Sequence, residues 1–311
     1  MVISPTRELA QQIAKQGEIL VKNRAIKQVI IHGGVAYETQ KEDLSKSPEI
    51  IIATPGRLLD LLDQKIANVD NLQYFILDEV DQMLDLGFYE SIMKLASLRN
   101  KTTQTLAFSA TAFENTKSLL KDIAPDIKTI ELENQNIAVE NIQQTGYFVE
   151  KEMMKHLLVY VIRTEKPEQA IVFTRSKNMA NELAKLLLDN KIAAEAIHSE
   201  KSQAAREYIL ERFKNKETQI LVATDLIARG IHIDDVSHII NYGLPQDPQQ
   251  YIHRIGRTAR AGKTGKAITL CIPEDTTLLS NTCKLMKQQI KMETSHPYHI
   301  PPTKKGKKKK H

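Results

Sequence analysis

Short apolar runs, each ending in small or polar residues, recur along the chain and set its architecture. In the first half they occupy residues 1–4, 29–31, 49–53, 74–77 and 105–108. Runs of this length, polar at once beyond, read as strands of a sheet covered on both faces. Helical spacings follow them: Leu9, Ile13 and Leu20 on one side of a helix capped by Thr6, then Leu58, Leu59, Leu61 and Leu62 after Pro55. Such alternation predicts a parallel sheet with helices on both faces. The second half repeats the plan, with strands at 170–173, 193–197, 220–223, 238–240 and 266–272. There Ser176 is placed to cap a helix that turns Met179, Leu183, Leu186 and Leu187 inward, and Gln203 and Arg206 open another. Residues 134–144 are polar and aperiodic and read as a linker. The chain is therefore expected to be α/β, with parallel-sheet lobes at 1–133 and 145–277 and a basic tail at 278–311.

The strand at 74–77 organises the rest, because it runs straight into Asp78-Glu79-Val80-Asp81. Carboxylates at the carboxyl end of a buried strand lie where open α/β sheets hold ligands. A Walker-B-type element has this form, one Asp serving Mg²⁺ and a neighbouring Glu the attacking water. An acidic helix start would give the same pattern with no chemistry. The other strand ends are weak signals singly. Gly33-Gly34 and Thr54-Pro55-Gly56 are ordinary turn sequences, and Arg57 alone is a surface charge. The densest cluster is His253-Arg254-Ile255-Gly256-Arg257-Thr258-Ala259-Arg260, expected on a helix with Arg257 and Arg260 on one face. No acid lies between Tyr251 and Gly265 to balance it, and forked guanidiniums left unbalanced suit a phosphate.

Composition narrows the class without changing the picture. Apolar content of 41% and charged content of 26% are ordinary for a soluble globular protein, and a formal charge of +5 is only mildly basic. Part of that charge is local, with Lys304, Lys305 and Lys307 to Lys310 crowding the end, a solvated segment with a general attraction for phosphates. Cys271 and Cys283 are too few for a disulfide framework and suit a reducing, cytoplasmic setting. No apolar stretch approaches the ~18 residues of a membrane span, which argues against a membrane partner.

Taken in order, the motifs resemble those of bacterial-type DEAD-box ATP-dependent RNA helicases, from residue 1 to about residue 275. Pro5-Thr6-Arg7-Glu8-Leu9-Ala10, Gly33-Gly34, Thr54-Pro55-Gly56-Arg57, Asp78-Glu79-Val80-Asp81 and Ser109-Ala110-Thr111 match in the first half. Ile171-Val172-Phe173, Gln203 with Arg206, Ala223-Thr224-Asp225 through Ala228-Arg229-Gly230, and His253 to Arg260 match in the second. The resemblance implies two RecA-like lobes and an RNA-stimulated ATP hydrolase acting as a monomer on RNA or ribonucleoprotein. It implies that Asp78 holds Mg²⁺, possibly through water, and that Glu79 orients the attacking water. Asp81, Ser109, Thr111 and His253 would couple the lobes, while Arg257 and Arg260 would serve the γ-phosphate. ATP would also meet Gly230 and His232. Arg7, Gly33, Gly34, Thr54, Gly56 and Arg57 would grip RNA from the first lobe, and Arg175, Gln203, Arg206, Thr224 and Arg229 from the second. Backbone contacts without base readers imply little sequence preference and steep salt dependence.

The sequence departs from that family in one large respect. The family carries a glycine-rich phosphate loop upstream of its PTREL element and an adenine-reading glutamine before that. No G-x-x-x-x-G-K-[ST] occurs in the 311 residues, and Gly262-Lys263-Thr264 has Arg257 where the first glycine belongs. The lysine and hydroxyl that would hold phosphates and Mg²⁺ are not in this sequence. Either Met1 is an internal methionine of a longer helicase, which the intact acids and arginines favour, or the chain is a non-catalytic RNA-binding remnant. In both cases the first lobe is expected to be incomplete, with unpaired edges beside the strand at 105–108 and no ATP hydrolysis by this chain alone. Smaller departures are Val80 for alanine, a gain in bulk, and His232 where the family has aspartate, expected to make nucleotide affinity weaker or pH-sensitive. Ala259, where glycine is common, is expected to be silent.

Overall fold

Every apolar run read as a strand is one in the computed structural model, which describes residues 1–109, 114–130, 141–225, 233, 236–259 and 264–301. Two compact units result, the first within Met1–Glu131 and the second holding the described residues from 141 onward. In the first unit β1 (Val2–Ile3), β2 (Gln28–Ile31), β3 (Ile50–Ala53), β4 (Tyr74–Leu77) and β5 (Gln104–Ala107) form one parallel sheet in the order β2-β3-β1-β4-β5. Neighbours that are not consecutive require crossovers, and helices carry them: α1 (Arg7–Val21), α2 (Tyr37–Ser45), α3 (Pro55–Asp63), α4 (Val80–Asp85), α5 (Tyr89–Ser97) and α6 (Glu114–Ile123).

Alternation along a strand shows both faces covered. Ile52 of β3 packs on Ala10 and Ala14 of α1, whereas Ile51 and Ala53 join the larger cluster with Leu58, Leu61, Met83, Ile92 and Leu95. The inward stripe of α1 is thus made of small residues four apart, which lets the helix lie close against the sheet. The expectation that Leu20 shares that face is corrected, since it is 79% exposed in the last turn. Thr6 caps the helix as expected, its hydroxyl accepting from the Leu9 amide at 3.3 Å.

The second unit has seven parallel strands in the order β12-β6-β11-β10-β7-β9-β8. These are β6 (Ile142–Phe148), β7 (Ala170–Thr174), β8 (Ala194–Ile197), β9 (Ile220–Thr224), β10 (His238–Tyr242), β11 (Gly265–Cys271) and β12 (Lys291–Glu293). One face of its sheet packs on α7 (Met154–Glu165) and α8 (Lys177–Asp189), the latter capped by Ser176. The other face meets α10 (Pro248–Ile255) and α11 (Thr276–Met286), and α9 (Gln203–Lys214) follows β8.

Three expectations are revised here. Residues 142–144, read as the end of the linker, begin β6, because the buried Gln144 amide is satisfied by Gln288 at 2.8 Å and by the Tyr251 hydroxyl at 3.0 Å. The segment read as a tail from 278 supplies α11 and β12, and the backbone amide of Ile300 donates to Phe148 O at 3.4 Å. The unpaired edge foreseen beside the strand at 105–108 falls at the end of the sheet, β5 pairing with β4 alone among the described strands.

One substitution expected to be silent is not. Ala259 lies just past α10 with φ +59°, a left-handed backbone that favours glycine. A Cβ in that region costs about 1 kcal/mol. Ala259→Gly is therefore expected to stabilise the second unit by about that amount, read as a higher midpoint in urea unfolding, and an unchanged or lower midpoint would contradict the assignment of strain.

Candidate functional site

The described site residues of the first unit lie at or just beyond the carboxyl ends of its strands, and backbone bonding fixes them there. The Asp78 amide closes on Ile3 O at 2.9 Å, and the Phe108 amide on Leu77 O at 2.8 Å, so the acids emerge between β1 and β5. The Glu79 amide donates to Asp78 Oδ1 at 3.0 Å, and the Gln82 amide to Asp81 Oδ1 at 3.0 Å. Glu79 itself caps α4 in a left-handed conformation, φ +52°, a strain of order 1–3 kcal/mol of the kind found where a side chain must be aimed. Val80, which brings the added bulk, is fully buried and its amide donates to Phe108 O at 3.0 Å.

Burial pushes the Asp78 carboxyl above its ordinary range, an effect opposed by the Glu79 amide and reinforced by the negative charge of Asp81. A carboxylate held in that condition suits a hard divalent cation. Among the described residues no three His, Cys, Asp or Glu side chains converge as a metal cage.

A second cluster gathers beyond β1, β2 and β3. The Arg7 guanidinium lies over Gly33-Gly34: a Cβ on Gly34 would sit 2.5 Å from Arg7 Nη1, and Gly34 has φ +87°. The positive φ is what calls for glycine there, since the Arg7 guanidinium is the end of a flexible side chain and could shift. Thr54 precedes α3, with its amide on Ile31 O at 2.9 Å, and Pro55 occupies the first helical turn. The space around Gly56 is open, nothing lying within 4 Å of a Cβ built on it. The amides at the start of α3 therefore face a clear approach for a phosphate.

Arg57 differs from its neighbours. Its side chain is only 13% exposed, Nη1 donating to Val35 O at 3.0 Å and to Gln40 Oε1 at 3.3 Å, with the Tyr37 ring 4.2 Å from its guanidinium carbon.

In the second unit Thr224 ends β9, and the next residue, Asp225, grips Arg254 through Nε at 2.5 Å and Nη2 at 2.8 Å. Arg254 is 2% exposed; its Nη1 donates to Asn241 Oδ1 at 3.0 Å and to Gly243 O at 3.3 Å, and its carbon lies 5.2 Å from the Phe173 ring. No acid lies within the arginine cluster itself, and this one comes from a strand end 29 positions earlier. The motifs give neither Arg254 nor Asp225 a role of its own; the signal in the sequence is a forked side chain three positions after apolar Tyr251 and directly before Ile255.

Arg175 follows β7 and donates from Nε to Leu244 O at 3.1 Å, with Asp275 at 3.8 Å. Gln203 opens α9 and bonds Glu207 at 2.9 Å, while Arg206 in the same helix is buried. His253 lies in the last turn of α10. That helix ends at Ile255, and Arg257 sits in the turn beyond, its amide on Arg254 O at 3.2 Å. Arg257 thus lies past the helix expected to carry it, and its expected partner on that face, Arg260, lies outside the described residues. Ser109 is exposed after β5. Thr111, Arg229, Gly230, His232 and Arg260 lie outside the described residues.

Burial sets a pH test on the acids. Because the folded Asp78 carboxyl titrates above the ordinary value of about 3.9, the folded chain holds that proton to higher pH than the unfolded chain. Stability is therefore lost as pH rises out of that window. Asp78→Asn is expected to raise the unfolding midpoint at pH 7 and to lose that gain below about pH 4; a midpoint lower than the parent's at pH 7 would contradict a strained acid.

Comparison with known proteins agrees across both units. Residues 1–119 match the DEAD/DEAH box helicase family, and residues 151–262 the helicase conserved C-terminal domain. The chain is 37% identical over 290 residues to the DEAD-box ATP-dependent RNA helicase CshA of Bacillus cereus, covering 93% of this chain and 55% of that one. It thus spans about half the length of the curated relatives it matches. A DEAD box protein from the hyperthermophile Methanococcus jannaschii is 38% identical with a TM-score of 0.52, over 94% of this chain and 79% of that one. Dbp5 of S. cerevisiae, bound to RNA and ADP BeF3, is 28% identical with a TM-score of 0.83, over 94% and 76% of the two chains. Among the described residues no helix is long and apolar enough to cross a membrane.

Proposed function

Since the chain belongs to the DEAD-box helicase family and its two parallel-sheet units are RecA-like, we propose that it serves ATP-dependent remodelling of RNA or ribonucleoprotein in the cytoplasm, acting as a monomer. The observation that carries this reading is the shared sheet edge in the first unit. The cradle of Arg7, Gly33, Gly34, Thr54 and Gly56 stands beyond β1, β2 and β3, and the acids stand beyond the adjoining β4. One rigid sheet therefore spaces an RNA-binding surface from a phosphoryl-transfer centre.

The chemistry follows from the side chains. Arg7 and the open start of α3 would take RNA phosphates, and Arg175, Gln203, Arg206, Thr224 and Arg229 would add contacts from the second unit. No base-edge reader is among them, so affinity comes from the backbone and is shared across sequences. Asp78 would hold Mg²⁺ with the phosphates of ATP, and the cation would offset charge on the transferring phosphoryl group. Glu79, its backbone fixed beside Asp78, would orient the attacking water. Asp81, Ser109, Thr111 and His253 would couple the nucleotide state to RNA binding. Arg257 and Arg260 would stabilise the transferring group, with Gly230 and His232 meeting the nucleotide.

The 311-residue sequence carries no phosphate-loop motif, so this chain alone is proposed to bind RNA without hydrolysing ATP. A non-catalytic RNA-binding role is the second reading, favoured by that same feature. The test titrates a labelled single-stranded oligouridine into the chain across a salt series and then assays ATP hydrolysis with and without RNA. Binding is expected to weaken with a slope steeper than about −2 in log K against log salt, as about three phosphate contacts on a single strand require. No RNA-stimulated hydrolysis is expected. Absent binding would overturn the RNA reading, and RNA-stimulated turnover would overturn the requirement for the loop.

A further inference from the structure

Arg57 stands at the centre of a closed set of contacts around the Gly33-Gly34 loop. Its Nη1 holds Val35 O at 3.0 Å, the carbonyl just after the glycine pair. The same nitrogen reaches Gln40 Oε1 at 3.3 Å, and Gln40 Nε2 holds His32 O at 2.8 Å, the carbonyl just before the pair. Gln40 is 2% exposed, so this link is sheltered from water. The loop is thereby pinned at both ends by one guanidinium and one amide. A loop fixed in this way keeps Gly34 left-handed and keeps Arg7 lying over both glycines.

The exposed face of the set belongs to Tyr37. Its ring lies 4.2 Å from the Arg57 guanidinium carbon, and its hydroxyl donates to the Asp60 carboxylate. Asp60 Oδ2 lies 4.0 Å from Arg57 Nε, so ring and carboxylate together close the slot that holds the guanidinium. Cation–π contact is stronger where water is excluded, and a planar guanidinium both stacks and forks in a way lysine cannot.

We propose that Tyr37 is a positioning residue for RNA binding: it clamps Arg57 against the loop, and Arg57 acts on RNA by fixing Gly33-Gly34 rather than by taking a phosphate. This rests on the reading of the first unit as an RNA cradle.

Salt dependence separates the two roles. A side chain that takes a phosphate carries about 0.7 of the slope of log K against log salt on single-stranded nucleic acid, and a positioning residue carries none. The experiment measures oligouridine affinity across a salt series for the full chain and for Tyr37→Ala, Tyr37→Phe, Arg57→Ala and the Tyr37→Ala/Arg57→Ala pair. Tyr37→Ala is expected to bind about tenfold more weakly, about 1.4 kcal/mol, with the parent's slope. Tyr37→Phe keeps the ring against the guanidinium and is expected within about twofold of the parent. The double variant is expected to bind as Arg57→Ala does, because the ring acts only through the guanidinium. Asp60→Asn leaves the ring in place and is expected to weaken binding in the same direction, a second readout if Tyr37→Ala unfolds.

Unchanged affinity in Tyr37→Ala and Asp60→Asn, beside a parent that binds, would overturn the proposal and leave the RNA reading standing. So would a slope reduced by about 0.7 in Arg57→Ala, the mark of a direct phosphate contact. A parent that does not bind oligouridine would overturn both.

Discussion

Two residues hold the first unit together. β1 is only Val2 and Ile3, yet it is the central strand of the sheet, paired to β3 on one side and β4 on the other. Its carbonyls and those of its neighbours set the register of the site. The Ile76 amide closes on Met1 O and the Asp78 amide on Ile3 O, each at 2.9 Å, while the Ser4 amide closes on Ala53 O at 2.9 Å. The amino group of Met1 donates to Tyr74 O at 2.9 Å. Through these bonds one short strand fixes β4, which presents the acids, and β3, which presents Thr54 and the start of α3. It also leads directly into Thr6 and Arg7. A shift of one residue in this pairing would turn Asp78 to the opposite face of the sheet.

The second unit solves a different problem, that of burying a charge. Arg254 is nearly inaccessible, and a lone guanidinium in that place would cost several kcal/mol. Asp225 meets two of its nitrogens, and a chain of polar side chains continues from the third. Asn241 reaches Thr269 at 3.4 Å, Thr269 reaches the Tyr251 hydroxyl at 3.3 Å, and Tyr251 reaches Gln144 at 3.0 Å, which bonds Gln288. Buried networks of this kind specify one arrangement because each member left unpaired is costly. This one joins the end of β9, where Thr224 lies, to β10, β11, β6 and the turn after α11. Burial also drives the Tyr251 hydroxyl far above its ordinary titration range, so it remains a proton donor throughout.

Strand positions were legible because apolar runs of four or five residues have few other uses, and Tyr74 to Leu77 is the clearest case. The acids were legible for the same reason, standing where such a run stops. What the sequence hid was polar residues that are buried. Gln143 and Gln144 look like linker until the partners of Gln144 are known, since alternation is visible only when the inward residue is apolar. The same blindness concealed Asp225 with Arg254, and Gln40 with Arg57, pairs 29 and 17 positions apart. Leu20 failed in the other direction, an apolar residue in step with Leu9 and Ile13 yet beyond the reach of the sheet. Ala259 shows the limit of judging a substitution by size, because its backbone angle and not its volume is what matters.

The dependence of the first unit on β1 can be read amide by amide through native-state hydrogen exchange. Chain ends ordinarily fray, exchanging through openings that cost almost nothing, whereas core strands exchange only through global unfolding. The amides of Ser4, Ile76 and Asp78 should be as slow as that of Phe108, which closes on Leu77 O at 2.8 Å and does not depend on β1. Fast exchange at Ile76 and Asp78 beside a protected Phe108 would mean that β1 opens on its own, and that the acids and the Arg7–Gly34 cluster are not held by one central strand.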